Sequence, residues 1–323
     1  MRSIVIGKFY PPHLGHHHLI DTAIKQSDEV DLLVVDNSDY HIPASRRAEW
    51  LRAKHPTVHI QIIPDICKDD DSPAWALHTL KFLGYTPDVV FSSETYGRTW
   101  AEAMGCKYVD VDIDRTTVPI SGTEVRQDIF ASWQYLSDPV RTGLALRVVI
   151  VGAESTGTTT LARDLAEALH APWVPEIGRY YTESIVTSGY KWRDDDFYRI
   201  GRLQQTYENE MAARSKGVIV CDTNAVATEL WQRRYVGRIS KKMKLIATQD
   251  KADLYIITGD EIPFVQDGQR DGEHIRHQMH QWFLTHIKKT GVPYIVVSGD
   301  QATRLQNALV ATEEMIAEKR AIK

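Results

Sequence analysis

Three short stretches of this chain bring together residue types that handle phosphate. Residues 7–16 read GKFYPPHLGH, with His13 and His16 flanking Gly15 at the expected start of a helix. Residues 120–126 read ISGTEVR, where Ser121 and Thr123 are natural helix caps and Arg126 projects from the same face one turn on. Residues 152–160 read GAESTGTTT, the glycine, four residues, glycine spacing whose backbone N–H groups wrap an anion. Imidazoles, hydroxyls, a guanidinium and amide N–H groups at a helix start are what stabilise charge as it moves among phosphate oxygens.

The third stretch departs from its general pattern at one position. Gly152 and Gly157 supply backbone freedom, Ala153, Glu154, Ser155 and Thr156 form the turn, and Thr159 occupies the place of a metal-ligating hydroxyl, with Thr160 as a second one. Where lysine normally stands, the residue is Thr158. A lost charge-assisted contact is worth about 1.5–3 kcal/mol, or ~10–150-fold in rate if nothing substitutes for it. Asp222 closes the apolar run GVIVCDT, placed to hold a metal's water shell, to accept a proton, or to cap the next helix. Glu176 and Arg179 in VPEIGRYY suit ribose hydroxyls and an anion. Trp231 and Tyr235, one turn apart, serve either stacking on a ring or helix packing.

Such loops need a strand before them and a helix after them. In the first half the strand candidates are SIVIGKF, VDLLVVD, VHIQIIP, DVVFSS and KYVDVDI, with helices predicted from near His16, Ser45, Ser72, Thr95 and Ser121. The pattern restarts with LRVVIVG, GVIVCDT, ADLYIITG and PYIVVSG, and helices are predicted from about Thr158, Asp194, Ala225, Gly272 and Gln301. This alternation argues for βαβ units and parallel sheets. A segment with Pro139 and Gly143 separates the two series. The expected fold is α/β, two doubly wound parallel-sheet domains covering 1–142 and 143–323. Loops after the first strand of such a sheet are where ligands bind.

Other residues give weaker signals. Arg46, Arg47 and Arg52 read as a mostly solvated helix face, with one in reach of phosphate. Ser93 and Glu94 follow the fourth strand at the expected ligand edge, and Trp75 packs a core or stacks on a base. His17 and His18 extend a histidine run, but adjacent helical residues cannot both face one ligand, so no transition metal is expected. The acidic clusters at 68–72 and 193–196 read as solvated loop ends.

Composition narrows the function classes. The net charge of −5 argues against a nucleic-acid or anionic-membrane surface. Three distant cysteines form neither a disulfide framework nor a metal-ligand spacing. No apolar run approaches the roughly 18 residues of a membrane span, and the first residues are not those of a signal peptide. A soluble cytoplasmic protein is expected.

His-x-Gly-His after the first strand, with Ile-Ser-x-Thr-x-x-Arg late in the same domain, resembles the nucleotidyltransferase superfamily of that signature. GKFYPPHLGHHHLI and ISGTEVR look like the nicotinamide mononucleotide (NMN) adenylyltransferase half of NadR-type bifunctional proteins. In that family a P-loop ribosylnicotinamide kinase follows, which is the order here, and the resemblance covers nearly the whole chain. It implies adenylyl transfer from ATP to NMN, giving NAD and pyrophosphate, and ATP-dependent phosphorylation of ribosylnicotinamide to NMN. The implied adenylyltransferase contacts to ATP are Gly7, Lys8, Phe9, His13, His16, Ser121, Thr123 and Arg126. His13, His16, Arg126 and Asp222 would be catalytic. The loop 152–160 would hold the kinase nucleotide, with Arg270 closing over it from the polar loop 260–274. Ser93, Glu94, Glu176, Arg179, Trp231 and Asp267 would bind substrate, and Thr159 and Asp222 would hold Mg²⁺. Some members carry an N-terminal DNA-binding domain, for which residues before Ser3 leave no room, so no nucleic-acid partner is expected. A homo-oligomer is compatible with the sequence. The alternative is a monofunctional adenylyltransferase whose second domain senses nucleotide without turnover.

Overall fold

The run LRVVIV, residues Leu146–Val151, is buried at every position. A strand apolar on both faces requires a sheet covered on both faces, which is the parallel arrangement. The computed structural model, which describes residues 1–68, 71–185, 190–265 and 272–322, contains two such sheets. They lie in two compact units, 1–141 with the C-terminal residues from 320, and 142–319. Among the described residues, no helix is long and apolar enough to cross a membrane.

The first unit alternates β1 (Arg2–Gly7), α1 (Leu14–Gln26), β2 (Glu29–Asp36), α2 (Ala44–Lys54), β3 (His59–Pro64), α3 (Ser72–Leu83), β4 (Val89–Ser92), α4 (Tyr96–Met104), β5 (Lys107–Asp110) and α5 (Gly122–Gln127). Its strands are parallel in the order β3-β2-β1-β4-β5, so the winding reverses between β1 and β4. Alternate strand residues feed two cores. Val5, Leu32 and Val34 pack with Leu19, Ile20, Ala48 and Leu51 of α1 and α2. Ile4, Leu33 and Val35 pack on the other face with Ala76, Trp100 and Ala101 of α3 and α4.

After α6 (Asp138–Leu144), the second unit runs β6 (Leu146–Val151), α7 (Thr158–Ala168), β7 (Trp173–Val174), α8 (Ile177–Ile185), α9 (Asp194–Arg214), β8 (Val218–Asp222), α10 (Ala225–Val236), α11 (Lys241–Ala247), β9 (Leu254–Thr258), α12 (Arg276–Thr290), β10 (Tyr294–Val297) and α13 (Gln301–Glu318). Its parallel order is β10-β9-β6-β8-β7, with β6 central.

Several expectations are corrected. The fifth strand stops at Asp110 instead of running to residue 113, because Asp112 turns the chain at φ 55° and accepts the N–H groups of Thr117 and Val118. Helices α8 and α11 were not anticipated; α8 has no fully buried residue and α11 is only seven residues long. The 193–196 cluster is not wholly solvated, since buried Asp196 accepts the hydroxyls of Tyr181 and Tyr190 and the N–H of Arg193. Arg47 is no surface residue either. It is 0% exposed, and its guanidinium donates to the carbonyls of Ile42, Lys8 and Val35. It thereby ties the loop after β1 to the end of β2.

Removing that guanidinium would strand buried carbonyls, at about 1–3 kcal/mol each. Arg47→Met should therefore lower the unfolding free energy of the chain in urea by about 3 kcal/mol. A midpoint unchanged from the wild type would contradict this packing role.

Candidate active sites

In the first unit the loops after β1 and β4 enclose a cleft of about 460 Å³ at the point where the winding reverses. Gly7, Lys8, Phe9, Ser93, Glu94, Ser121, Thr123 and Arg126 all line it, as does His16. His13 is the N-cap residue of α1, and its backbone N–H donates to His16 Nδ1 at 3.2 Å. The two imidazoles lie 3.7 Å apart, with the Phe9 ring edge-on to His16 at 5.0 Å. Gly15 permits this, because a Cβ there would come within 3.1 Å of the His13 ring.

Both imidazoles are held neutral. Burial first, then the charges of Arg115 and Arg126, pushes His13 down to about 4, with Glu124 opposing. Burial and the neighbouring His13 and His17 push His16 well below its ordinary value. His13 Nδ1 is buried without a hydrogen-bond partner among the described residues. Arg126 donates to Tyr10 O at 3.0 Å and to Thr123 Oγ1 at 3.1 Å, which fixes its fork at the cleft wall. Ser121 caps α5 reciprocally with Glu124, its hydroxyl donating to the Glu124 carboxylate at 2.6 Å. Glu94 pairs with Arg115 at 3.1 Å.

Sequence reasoning missed Arg115, which lines the cleft from a loop without regular structure and so had no periodic signal. Trp75 packs partly against the Ile4 core, and it also lines the cleft. His17 belongs elsewhere. It is buried, with Nδ1 2.8 Å from His55 Nε2 and Nε2 3.0 Å from Ser137 Oγ. Arg46 and Arg52 stay at a distance, bonded to Glu49 and to the Ile60 carbonyl.

The second unit has a cleft of about 300 Å³ where β6 ends. Gly152 is obligatory, since a Cβ there would lie 2.1 Å from Thr258 Oγ1 and 2.6 Å from Thr156 Oγ1. Those two hydroxyls are 2.6 Å apart, and Thr156 also donates to Ala153 O at 2.7 Å, so the turn is pinned to β9. Gly157 is the N-cap of α7. Ala153, Glu154, Ser155, Thr158 and Thr159 line the cleft with Glu176, Arg179, Asp222 and Trp231, whereas Thr160 is exposed and outside it.

Asp222 is 2% exposed at the end of β8 and does not cap α10, which Asn224 does. Burial raises its carboxyl above the ordinary range against hydrogen bonds from Thr159 and Thr158 and the charge of Arg163. Burial and the charge of Asp222 raise Glu176 as well. Arg179 pairs with Glu183 at 3.2 Å. The hydroxyls of Thr159 and Thr158 beside a buried carboxyl form an all-oxygen set that suits a hard divalent cation.

Trp192 and Phe197, absent from the sequence expectations, join Trp231 and Tyr235 in the cleft wall; Trp192 lies 5.1 Å from Phe197 and 5.4 Å from Tyr235. Arg270 and Asp267 lie outside the described residues. Flanking them, Gly272 N–H donates to Glu154 Oε2 at 2.8 Å, and Arg276 donates to Ser155 O at 3.0 Å.

Comparison with known proteins reaches both units. A sequence family described as an AAA domain matches residues 147–304. The trifunctional NAD biosynthesis/regulator protein NadR of Escherichia coli is 26% identical, over 98% of this chain and 84% of its own length. Its counterpart in Salmonella typhimurium is 26% identical with the same coverage. A crystal structure of NadR protein in complex with NR superposes with a TM-score of 0.74 at 22% identity, covering 98% of this chain and 96% of that one. Another, in complex with NAD and AMP-PNP, gives 0.72 at 21% identity over 98% and 96%. Along nearly its whole length this chain is similar in sequence to NadR proteins and shares their fold.

Proposed function

We propose that this chain is an enzyme of NAD biosynthesis that joins ATP to NMN in its first unit and makes NMN from ribosylnicotinamide in its second. The observation that carries the reading is the convergence of His16 with Ser121, Thr123 and Arg126, which lie far from it in sequence, on one cleft at the carboxyl edge of the first sheet. The NAD biosynthesis proteins and the NR, NAD and AMP-PNP complexes among its relatives support it.

In the first transfer the NMN phosphate attacks the α-phosphorus of ATP and pyrophosphate leaves. The nucleophile is already an anion, so no general base is needed; positioning and charge neutralisation carry the rate. A neutral His16 donates one N–H to a phosphate oxygen, and His13 behind it fixes that ring. Arg126, Thr123 and Lys8 face the departing phosphates, and the Ser121 hydroxyl joins them by leaving Glu124.

In the second transfer the γ-phosphorus of ATP loses its bond to the β-phosphate oxygen and gains one to the 5′-oxygen of ribosylnicotinamide, whose proton passes to Asp222. Thr159 and Asp222 would hold Mg²⁺, which supplies charge neutralisation at the phosphates. Glu176 faces the ribose, and Trp192, Trp231 and Tyr235 flank the nicotinamide ring. A cationic pyridinium suits a cleft lined by Glu154, Glu176, Asp222 and aromatic faces.

Chromatography of the chain incubated with ATP, Mg²⁺ and either NMN or ribosylnicotinamide tests the reading. NAD should form from both, with NMN appearing on the way from the nucleoside. NAD from NMN alone would reduce the second unit to a nucleotide sensor, the role that an uncharged Thr158 favours. His16→Ala should lower adenylyl transfer by about 10²–10³-fold and leave nucleoside phosphorylation unchanged; equal losses in both would contradict separate sites. Because burial lowers both histidines, nuclear magnetic resonance should find the His13 midpoint at about pH 4 and the His16 midpoint well below the ordinary imidazole value. A midpoint near 6.5 in either ring would contradict it.

A further inference from the structure

The second cleft is short of positive charge. Among the described residues its lining has three carboxyl groups, Glu154, Glu176 and Asp222, against the guanidinium of Arg179, and Thr158 stands where a cation would normally reach the phosphates. A kinase built on this loop needs a cation brought from elsewhere in the unit.

Among the described residues, Arg304, Arg276, Arg179 and Arg234 reach the loop or the cleft lining, and their partners separate them. Arg304 is buried behind it, donating to the carbonyls of Thr156, Gly259 and Gly299 and to Glu261. Arg276 donates to Ser155 O and lies 5.9 Å from the Phe264 ring centre. Arg179 is exposed and paired within α8. Arg234, in the last turn of α10, is different. Its side chain is 6% exposed and is paired at 2.5 Å with Glu154 of the loop itself. Its guanidinium carbon also lies 4.7 Å from the Tyr235 ring centre and 5.6 Å from that of Trp231. Glu154 is gripped from a second side by Gly272 N–H, which fixes the carboxylate that orients Arg234.

Arg234 thus touches both the phosphate loop and the aromatic wall of the acceptor pocket, the two groups between which a phosphoryl group must pass. We infer that Arg234 replaces the missing loop lysine, meeting the γ-phosphoryl oxygens as they move from ATP to the acceptor hydroxyl, with Glu154 as its positioning residue. The inference rests on the kinase reading above. A guanidinium has five N–H donors in a fixed fork, so a carboxylate and a phosphoryl oxygen can be served together. Charge spread over the equatorial oxygens of the transferring group is what such a fork stabilises.

The test uses the full chain as wild type, Arg234→Gln, Thr158→Lys and the double variant, assayed for Mg·ATP-dependent phosphorylation of ribosylnicotinamide and for binding of a fluorescent ATP analogue. Arg234→Gln should lower kcat by ~10–150-fold while analogue binding and the KM for ATP stay within a few-fold. Restoring the loop cation with Thr158→Lys should recover most of that loss in the Arg234→Gln background. Activity of Arg234→Gln close to wild type would overturn the inference and leave the kinase reading standing. A loss that Thr158→Lys does not relieve would assign Arg234 a structural role and also overturn it. A wild type that phosphorylates nothing would remove the kinase reading, and the inference with it.

Discussion

A strand in a parallel sheet cannot turn straight back; it must hand the chain to a crossover helix, and at its carboxyl end it leaves a loop with unpaired N–H groups. Both units obey this constraint around a central strand whose neighbours wind away in opposite directions, β1 between β2 and β4, β6 between β8 and β9. Loops that diverge at such a point cannot cover each other, so a cleft remains with helix starts along its rim. The His13–His16 pair and the 152–160 loop occupy equivalent places for that reason. One winding rule, used twice, places two clefts in one chain.

The same rule decides what the sequence could reveal. Apolar runs such as LRVVIV and the hydroxyl cap at Ser121 act locally, so periodicity and spacing expose them, and the two doubly wound sheets follow. The place of Asp222 at a strand end was legible because it closes the apolar run of β8. Arg47 was not, because a buried arginine and a solvated one look alike on a helix, and only folding brings three carbonyls around one of them. Asp196 escaped because its tyrosine partners lie before the start of α9, in no periodic relation to it. Arg115 and Arg234 depend on loops and helix ends meeting across the fold. Residues at such meeting points leave no periodic trace.

Electrostatics distinguishes the two clefts. In the first, guanidiniums stand beside imidazoles that burial keeps neutral, so the wall is positive without needing histidine protonation. In the second, raised carboxyls outnumber the cations in the lining, and the cleft gains stability from any positive charge that enters. The guanidinium of Arg234 on Glu154 meets that demand. An acidic pocket behind an uncharged loop position is therefore a consistent design, in which the positive charge is distributed among partners instead of fixed on the loop.

The central claim is that one chain carries a phosphoryl group from ATP onto a nucleoside and then joins the product to an adenylyl group. Incubating the chain with ribosylnicotinamide and ATP labelled at the γ-phosphorus, then analysing NAD by mass spectrometry, follows that phosphorus directly. NAD labelled in its nicotinamide-side phosphate is the result the account predicts. NAD without the label, or none at all from the nucleoside, would contradict it.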